Sequence, residues 1–423
     1  MSDAEPTNII PMNTRFFSGL TAALLLALFS CRSEYAGEKG AERAGRLHRS
    51  LLTVDSHTDT PLRLFRPGTD LSVRSDPHRG GGKLDFPRME EGGLDGVFFA
   101  VFVGQGERSP EGNARARDRA LCLFDSIHAV VARNPGLAEI ALSSRDLEAI
   151  HDRGRKAVYI GIENGYPIGR DLSLISHFYS LGARYITLCH TRNNDICDSS
   201  TDEGGPEHGG LSEFGKAVVA EMNRLGIMVD VSHISDQAFY DVIGISTAPV
   251  IASHSNARAI CDNPRNLSDS MLLKLAGNGG VVQLCVLSDY VAETEPNLQR
   301  DSARQVIREK YGEGEMLDDS TRNRMYAEWS SLDEKFPPNL ASVAQFCDHV
   351  DHVVHLIGID HVGFGSDFDG GAGLSDCYDE SQLPEITLEL LRRGYTRSEL
   401  QKFWSGNLLR VMKEVEQAAS APL

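Results

Sequence analysis

The chain has 423 residues with 42 basic and 60 acidic side chains, which gives a formal charge of -18. This acidic balance argues against nucleic acid as the main partner, because phosphate binding needs a concentrated basic surface. A hydrophobic content of 41% with 40 Gly and 17 Pro excludes collagen-like and broadly disordered proteins.

The first apolar stretch predicts a targeting segment. Residues 16–30 (FFSGLTAALLLALFS) are too few for a membrane-spanning helix of roughly 20 residues but suit a signal-peptide core. Arg15 precedes this core and Cys31 follows it, which resembles a bacterial lipoprotein signal in which Cys31 is lipidated and becomes the mature N-terminus. A plain secretory signal is the alternative, and translation can start at Met1 or at Met12.

The N-terminal pattern therefore divides the chain into three parts. We predict a signal peptide over 1–31, a tether over 32–45 and a barrel domain over 46–418. The protein is expected to be exported to the cell envelope and anchored to a bacterial membrane through an N-terminal lipid.

Short apolar runs that alternate with helical patterns predict eight strands. They are rich in Val, Ile and Phe and mostly continuous, as strands covered on both faces should be. The runs are 51–54, 96–103, 157–162, 184–189, 227–232, 249–253, 280–286 and 362–366. This pattern favours an α/β fold, a (β/α)8 TIM-type barrel; a doubly wound open sheet is the main alternative.

A charged segment separates the last two predicted strands. Residues 290–338 include the run REKYGEGEMLDDSTRNR, which predicts a solvated helical insertion or lid. A plain surface excursion is the alternative interpretation.

The cysteines do not indicate a thiolate metal site. Of the eight, seven lie beyond Cys31, they are widely spaced, and no CxxC pair occurs. A disulfide framework or a structural zinc site is therefore not expected. Most of these cysteines are predicted to be small buried hydrophobic side chains.

Imidazoles and carboxylates follow the predicted strands at the same relative position. They are His57, Asp59, Glu163, His190, His233, His254 and Asp367. Because loops at the carboxyl ends of barrel strands hold the active site, we expect these side chains to converge. Such donors suit zinc, or less specifically manganese, iron or cobalt, in an open catalytic site.

Individual positions support this interpretation to different degrees. His57 and Asp59 are two residues apart, so in extended backbone they point to one side and can reach one ion. Glu163 ends a strongly apolar strand, where an unpaired carboxylate costs several kcal/mol, so a cation partner is expected. Asp367 can serve as a proton acceptor, whereas Asp369 is predicted to be structural. Three histidines are predicted to lie on a helix surface: His349, His352 and His355.

Six motifs in order resemble the membrane (renal) dipeptidase family, peptidase family M19. They are VDSHTDTP, GIENG, ITLCHTRNN, VDVSHIS, IASHSNARAICDNPRN and GFGSDFDG, and the resemblance extends over residues 51–417. It implies a (β/α)8 barrel that binds two Zn²⁺ ions per chain. By motif, His57 and Asp59 would bind the first zinc, His233 and His254 the second, and Glu163 would bridge both.

The resemblance also implies roles for three further residues. His190 would contact the substrate and polarise the reacting group, Arg265 would hold the substrate carboxylate, and Asp367 would handle the catalytic proton. The implied activity is hydrolysis of dipeptides by a hydroxide held between the metals, with tolerance of a C-terminal D-residue. A homodimer is also implied.

Two alternatives stay open on the sequence alone. One is another binuclear barrel amidohydrolase that acts on a lactone, a cyclic amide or an N-acyl amino acid. The other is a catalytically silent binding lipoprotein on the same scaffold. The charged insertion is longer than in the mammalian members of the family, which leaves the substrate range open.

Overall fold

The structure is a computed structural model that describes residues 35–312 and 317–420. The predicted signal peptide, the lipidation site at Cys31 and the first residues of the predicted tether lie outside these ranges. The elements are α1 (Gly37–His48), β1 (Val54–Thr58), α2 (Phe86–Gly92), β2 (Gly96–Phe102), α3 (Pro110–Arg133), β3 (Ala138–Ile140), α4 (Asp146–His151), β4 (Lys156–Glu163), α5 (Ser173–Ser180), β5 (Ala183–Thr187), α6 (Glu213–Leu225), β6 (Met228–Asp230), α7 (Asp236–Ile245), β7 (Ile251–Ala252), α8 (Asp269–Gly277), β8 (Val281–Leu284), α9 (Ser288–Val291), α10 (Leu298–Tyr311), α11 (Asp319–Lys335), α12 (Val343–Ile357), β9 (Val362–Phe364), α13 (Leu383–Arg392), α14 (Arg397–Gln401) and α15 (Asn407–Ala418).

Eight parallel strands form the barrel that the sequence predicts. Their order is β1-β2-β4-β5-β6-β7-β8-β9, and the short β3 pairs with β4 beside this path. The chain after β9 closes the ring against β1, since Asp367 N donates to His57 O (3.0 Å) and Asp59 N donates to Phe368 O (2.9 Å). The prediction of a (β/α)8 barrel is therefore confirmed over the open-sheet alternative.

The first strand lies further along the chain than predicted. We expected it at the apolar residues 51–54, but β1 begins at Val54 and continues through Thr58, and all five of its residues are buried. The polar side chains of β1 lie in the barrel interior. A search for apolar residues alone therefore places this strand too early in the chain. His57 consequently lies within β1 instead of following it. The short β3 was not predicted.

Helix α1 occupies most of the segment predicted as a tether. Its buried residues are Gly40, Ala44, Gly45 and His48, which share one helical face. His48 Nδ1 lies 2.7 Å from Thr387 Oγ1 on α13, so this helix packs on the barrel. The tether prediction is wrong over residues 37–45, because a face made of glycine and alanine carries almost no hydrophobic pattern.

The charged insertion is helical, as predicted, and lies against the loop that follows β1. It contains α10 and α11. The Arg66 guanidinium lies 4.4 Å from the centroid of the Tyr326 ring, and Asn323 Nδ2 donates to Phe65 O at 3.4 Å. These contacts join α11 to the loop after β1, so the insertion is more than a surface excursion.

The cysteines behave largely as the sequence predicts. All seven in the described ranges are free, and only Cys122 among them is exposed. None of the helices in the described ranges is long and apolar enough to cross a membrane.

His349 contradicts its predicted place on a helix surface. The side chain is fully buried on α12; its Nδ1 accepts a hydrogen bond from Ala257 N (3.1 Å) and its Nε2 donates to Val291 O (2.7 Å). His355 is exposed and His352 is half-buried beside Asp269. On a helix, side chains three and six residues apart are rotated around the axis relative to the first one. Only His349 of the three therefore faces the core.

The pH dependence of unfolding should record the burial of His349. Burial lowers its pKa from 6.5 to about 4, so the unfolded chain takes up a proton first as the pH falls. The fold is therefore more stable at pH 7 than in acid by up to about 3 kcal/mol, and this difference is lost progressively as the pH falls from 6.5 towards 4. Urea unfolding of the wild type and His349→Gln at pH 7, 6 and 5 checks this. The difference in unfolding free energy should shrink as the pH falls, and a constant difference would contradict the assignment.

Candidate metal centre

The structure brings the predicted ligands together at the carboxyl ends of the strands. His57 lies in β1, Glu163 is the last residue of β4, and the other residues stand in the loops that directly follow their strands. The set is His57, Asp59, Glu163, His190, His233, His254 and Asp367, and each has its side chain buried or nearly so.

Glu163 occupies the centre of the cluster. Its Oε1 lies 3.1 Å from His233 Nε2 and 3.5 Å from the Nε2 atoms of both His190 and His254. Its Oε2 lies 3.4 Å from His57 Nε2. Four imidazoles from four different strands therefore point the same ring nitrogen at one carboxylate.

The backbone around the cluster adopts an uncommon conformation. The non-glycine residues with positive φ in the described ranges are Asn164, His233, Asp367 and Asp369, at φ values of 73°, 72°, 64° and 65°. Left-handed backbone at residues with a side chain is sparsely populated and gathers at functional sites. All four stand at the ends of strands that contribute to this cluster.

Hydrogen bonds to the other ring nitrogens hold two of the imidazoles in place. Tyr185 Oη lies 2.7 Å from His57 Nδ1. Ser253 Oγ lies 2.8 Å from His254 Nδ1 and donates to Asp230 Oδ2 at 2.6 Å. Partners at Nδ1 direct Nε2 of each ring towards the centre, as is usual for histidines that bind metals.

Several atoms of the cluster are buried without a partner that could satisfy them. His57 Nε2, Asp59 Oδ1 and Glu163 Oε2 have no hydrogen-bond partner among the described residues. The Nε2 atoms of His233 and His254 lie 2.8 Å apart. Buried polar atoms are normally satisfied, and a set of imidazole nitrogens and carboxylate oxygens fits a divalent metal such as zinc.

Three overlapping groups of residues could each hold an ion. They are His57–Glu163–His254, Glu163–His190–His233 and His57–Asp59–Asp367, and in each the ligand atoms lie within 4.8 Å of one another. Glu163 belongs to two of these groups.

The charges of the cluster perturb one another strongly. Burial by itself would raise the pKa of Glu163, but the surrounding histidines, His57 foremost, hold that pKa well below its ordinary value. Burial raises the pKa of Asp367 to about 7, and the Glu163 carboxylate adds to this rise. Burial and Glu163 also raise the pKa of Asp59. Three carboxyl groups compete here for positive charge, which a bound cation would relieve.

Arg265 lies beside the cluster, against the backbone of His254. Its Nη2 donates to His254 O (3.3 Å), its Nη1 donates to Ser255 Oγ (3.4 Å), and its guanidinium lies 5.3 Å from the centroid of the Tyr290 ring. Only 4% of the surface of Arg265 is exposed. In the described ranges no carboxylate lies within 4 Å of this guanidinium, so a buried cation is held next to the candidate metal ligands.

A large cavity opens over the cluster on the side of Asp59 and His190. Its volume is about 1420 Å³. The walls come from the strand ends, from α3 and from the two helices of the insertion. The insertion therefore belongs to the surroundings of the site.

Sequence reasoning found every member of the central cluster but missed the residues that support it. Tyr185 is one apolar-looking position within a buried strand, and no sequence pattern distinguishes it. Ser253 precedes His254 directly, which is a weak indication of a hydrogen bond to the ring. The aromatic residues of the insertion were hidden in a segment whose composition is dominated by charge.

Comparison with known proteins agrees with the fold. The family model described as membrane dipeptidase (peptidase family M19) matches residues 41–422. The chain is 34% identical over 344 residues to dipeptidase aclJ of Aspergillus oryzae, covering 80% of this chain and 71% of that protein. It is 31% identical over 407 residues to dipeptidase ataJ of Aspergillus terreus, covering 89% and 88%.

Solved structures give the same result. The probable dipeptidase PvdM of Pseudomonas aeruginosa aligns with a TM-score of 0.77 at 29% identity, over 90% of this chain and 99% of that one. A metallopeptidase of Rhodobacter sphaeroides, solved with a phosphinate mimic of the dipeptide L-Ala-D-Ala, aligns with a TM-score of 0.68 at 26% identity, over 86% and 99%. This chain therefore belongs to the membrane dipeptidase family, peptidase family M19, and is a metallopeptidase that hydrolyses dipeptides.

Proposed function

We propose that the protein is a zinc dipeptidase with two zinc ions, in which His57 and Asp59 hold one ion, His233 and His254 hold the other, and Glu163 is shared. The observation that carries the proposal is the buried Glu163 carboxylate with four imidazole Nε2 atoms within 3.5 Å. Zinc bound to these residues would supply Lewis acidity, which polarises a peptide carbonyl and lowers the pKa of water so that hydroxide forms near neutral pH.

Asp367 handles the proton in this proposal. A carboxyl whose pKa is raised to about 7 by burial can accept a proton from the attacking water and then pass a proton to the leaving amine. His190 reaches the same centre from β5 and is positioned to donate a hydrogen bond to the reacting oxygen. It has 15% of its side chain exposed, so it stands at the entrance where a substrate arrives.

Arg265 restricts the substrate to short peptides with a free C-terminus. A planar guanidinium can grip a carboxylate with two parallel hydrogen bonds. Because the grip fixes the carboxylate next to the reacting centre, only one residue fits on the C-terminal side of the cleaved bond. The L-Ala-D-Ala mimic bound by the Rhodobacter sphaeroides relative supports the further proposal that a C-terminal D-residue is tolerated.

A panel of substrates tests this function directly. The zinc-loaded protein should cleave L-L and L-D dipeptides and should cleave C-terminally amidated dipeptides and longer peptides poorly. Arg265→Met should lower kcat/KM for free dipeptides by about 10- to 100-fold, since charge-assisted hydrogen bonds are lost, and should remove the discrimination against amides. Arg224→Met is the control, because the Arg224 guanidinium pairs with Glu221 of the same helix, α6, at 2.7 Å and Arg224 is not among the residues of the proposed site.

The same panel separates this function from the other barrel hydrolases. An enzyme for a lactone, a cyclic amide or an N-acyl amino acid would bind metal but cleave none of the dipeptides in the panel. A catalytically silent binding protein would retain the ligand cluster and cleave nothing after zinc is added.

We also propose that the protein is exported and anchored to a membrane. The Leu-rich run before Cys31 supports an exported protein that is lipidated at Cys31 and anchored to a bacterial membrane. Cys31→Ser should then move the protein from the membrane fraction to the soluble fraction of the envelope. The homodimer that the family resemblance implies stays a prediction, which light scattering of the purified protein can check.

A further inference from the structure

The helices of the insertion present one face each to the cavity above the metal ligands. On α11 the cavity-lining residues are Arg322, Met325, Tyr326 and Trp329, which stand at i, i+3, i+4 and i+7 and so share one side of a helix. On α10 they include Gln305 and Arg308. The insertion is therefore a wall of the active-site cavity.

Three of the four cavity-lining residues on α11 are apolar or aromatic, and the fourth is Arg322. Met325 is buried, and the rings of Tyr326 and Trp329 meet edge to face with centroids 5.6 Å apart. Leu62 and Phe102, on the barrel side, line the same cavity. We call the part of the cavity lined by Leu62, Phe102, Met325, Tyr326 and Trp329 the apolar compartment; charged side chains, among them Arg119, Arg192 and Arg322, line other parts of the cavity.

Trp329 carries an unused hydrogen-bond donor in this compartment. Its indole nitrogen is buried and has no acceptor among the residues that the structure describes. Buried Trp N–H groups usually find a partner. A ring that lines a cavity and keeps a free donor is suited to contact a ligand instead of only filling the core.

The direction of a bound dipeptide follows from the positions of Arg265 and the cavity. Arg265 lies against His254 and does not line the cavity, which opens over Asp59 and His190. A dipeptide whose carboxylate is held by Arg265 therefore directs its amino-terminal residue away from His254, towards the compartment. The volume of about 1420 Å³ exceeds the roughly 300–1,000 Å³ of pockets that enclose a drug-sized ligand.

We propose that the insertion makes the enzyme selective for dipeptides with a large apolar or aromatic amino-terminal side chain, with Trp329 as a specificity-determining residue. This inference rests on the proposed dipeptidase function, because it uses Arg265 to orient the substrate. The small amino-terminal residue of Gly-Ala would leave the compartment unfilled, whereas the ring of Phe-Ala would pack between Trp329 and Phe102.

Kinetics with two substrates test the proposal on the zinc-loaded, full-length protein. Trp329→Ala should lower kcat/KM for Phe-L-Ala by about 10-fold or more, as expected when an aromatic side chain loses its apolar contacts. The same variant should keep kcat/KM for Gly-L-Ala within about two-fold, which also shows that the metal site is intact. Val306→Ala is the control, because this α10 side chain is 62% exposed and does not line the cavity. Equal losses for both substrates, or no loss for either, would overturn the proposal.

A binding measurement tests the proposed selectivity without turnover. The chain has two tryptophans, and Trp404 is fully buried beneath the barrel helices, so a ligand in the compartment should change the emission of Trp329 alone. The phosphinate mimic of Phe-Ala should bind more tightly than that of Gly-Ala and change the emission more. Equal affinity and equal emission changes in the wild type would overturn the proposal even if Trp329→Ala fails to fold. If zinc-loaded protein cleaves no dipeptide at all, the proposed function fails, and a retained preference for the larger mimic would still support the selectivity.

Discussion

Replacement of Glu163 with glutamine is expected to remove the metal and to lower kcat by at least about 1,000-fold. The carboxylate is the one group that all four imidazoles approach, at 3.1–3.5 Å. A glutamine side chain has nearly the same shape but carries no charge, and its NH₂ group would point a donor at nitrogens that are arranged for a cation. Loss of a Lewis acid that contributes several kcal/mol to the reaction corresponds to this fall in rate.

Metal analysis and dipeptide turnover on the same sample of Glu163→Gln check this expectation. Glu380→Gln is a matched control, because Glu380 is equally buried but burial and Asp55 raise its pKa well above the ordinary value. Burial already disfavours the charged form of this carboxyl, so an amide replaces it at a smaller electrostatic cost and this control should keep its zinc. Full zinc occupancy in Glu163→Gln would show that Glu163 is not a shared ligand.

The barrel and its central cluster could be predicted because both depend on local patterns. A strand covered by helices on both faces is a continuous apolar run, and eight such runs were recognisable. The residue that follows such a run lies at the carboxyl edge of the barrel wherever the strand stands in the order. Glu163, His190, His233, His254 and Asp367 were therefore found without knowledge of which strands are neighbours.

The parts that were missed depend on surroundings that the local pattern does not contain. The buried face of α1 consists of glycine, alanine and one histidine, whose burial shows only when α13 is packed against it. β1 is polar because it faces the catalytic end of the barrel, so an apolar run marks its beginning and not its extent. His349 is buried because Ala257 and Val291, distant in sequence, supply its two hydrogen-bond partners.

The support of the cluster and the wall of the cavity show the same limit. Tyr185 contacts His57 across the barrel, a contact that depends on the order and register of the strands. Trp329 stands in a segment whose average composition is strongly charged. Only the position of α11 over the barrel mouth shows that this side chain lines the cavity. Sequence patterns could not predict these features, because they arise from tertiary packing.

Asp367→Asn should lower kcat by about 100- to 10,000-fold while the zinc content stays near that of the wild type, since a positioned general acid–base group contributes about this much. Asp367 groups with His57 and Asp59, but an asparagine keeps an oxygen there and loses only the ability to carry the proton. Asp369→Asn is the matched control two residues away: its carboxylate accepts hydrogen bonds from Thr60 Oγ1 at 2.8 Å and from Lys83 N at 2.9 Å, which is a structural role, so its loss in kcat should be far smaller. Retained zinc with lost turnover in Asp367→Asn alone would identify the residue that moves the proton. Parallel loss of zinc and turnover would make Asp367 a metal ligand, and unchanged turnover would remove it from the mechanism.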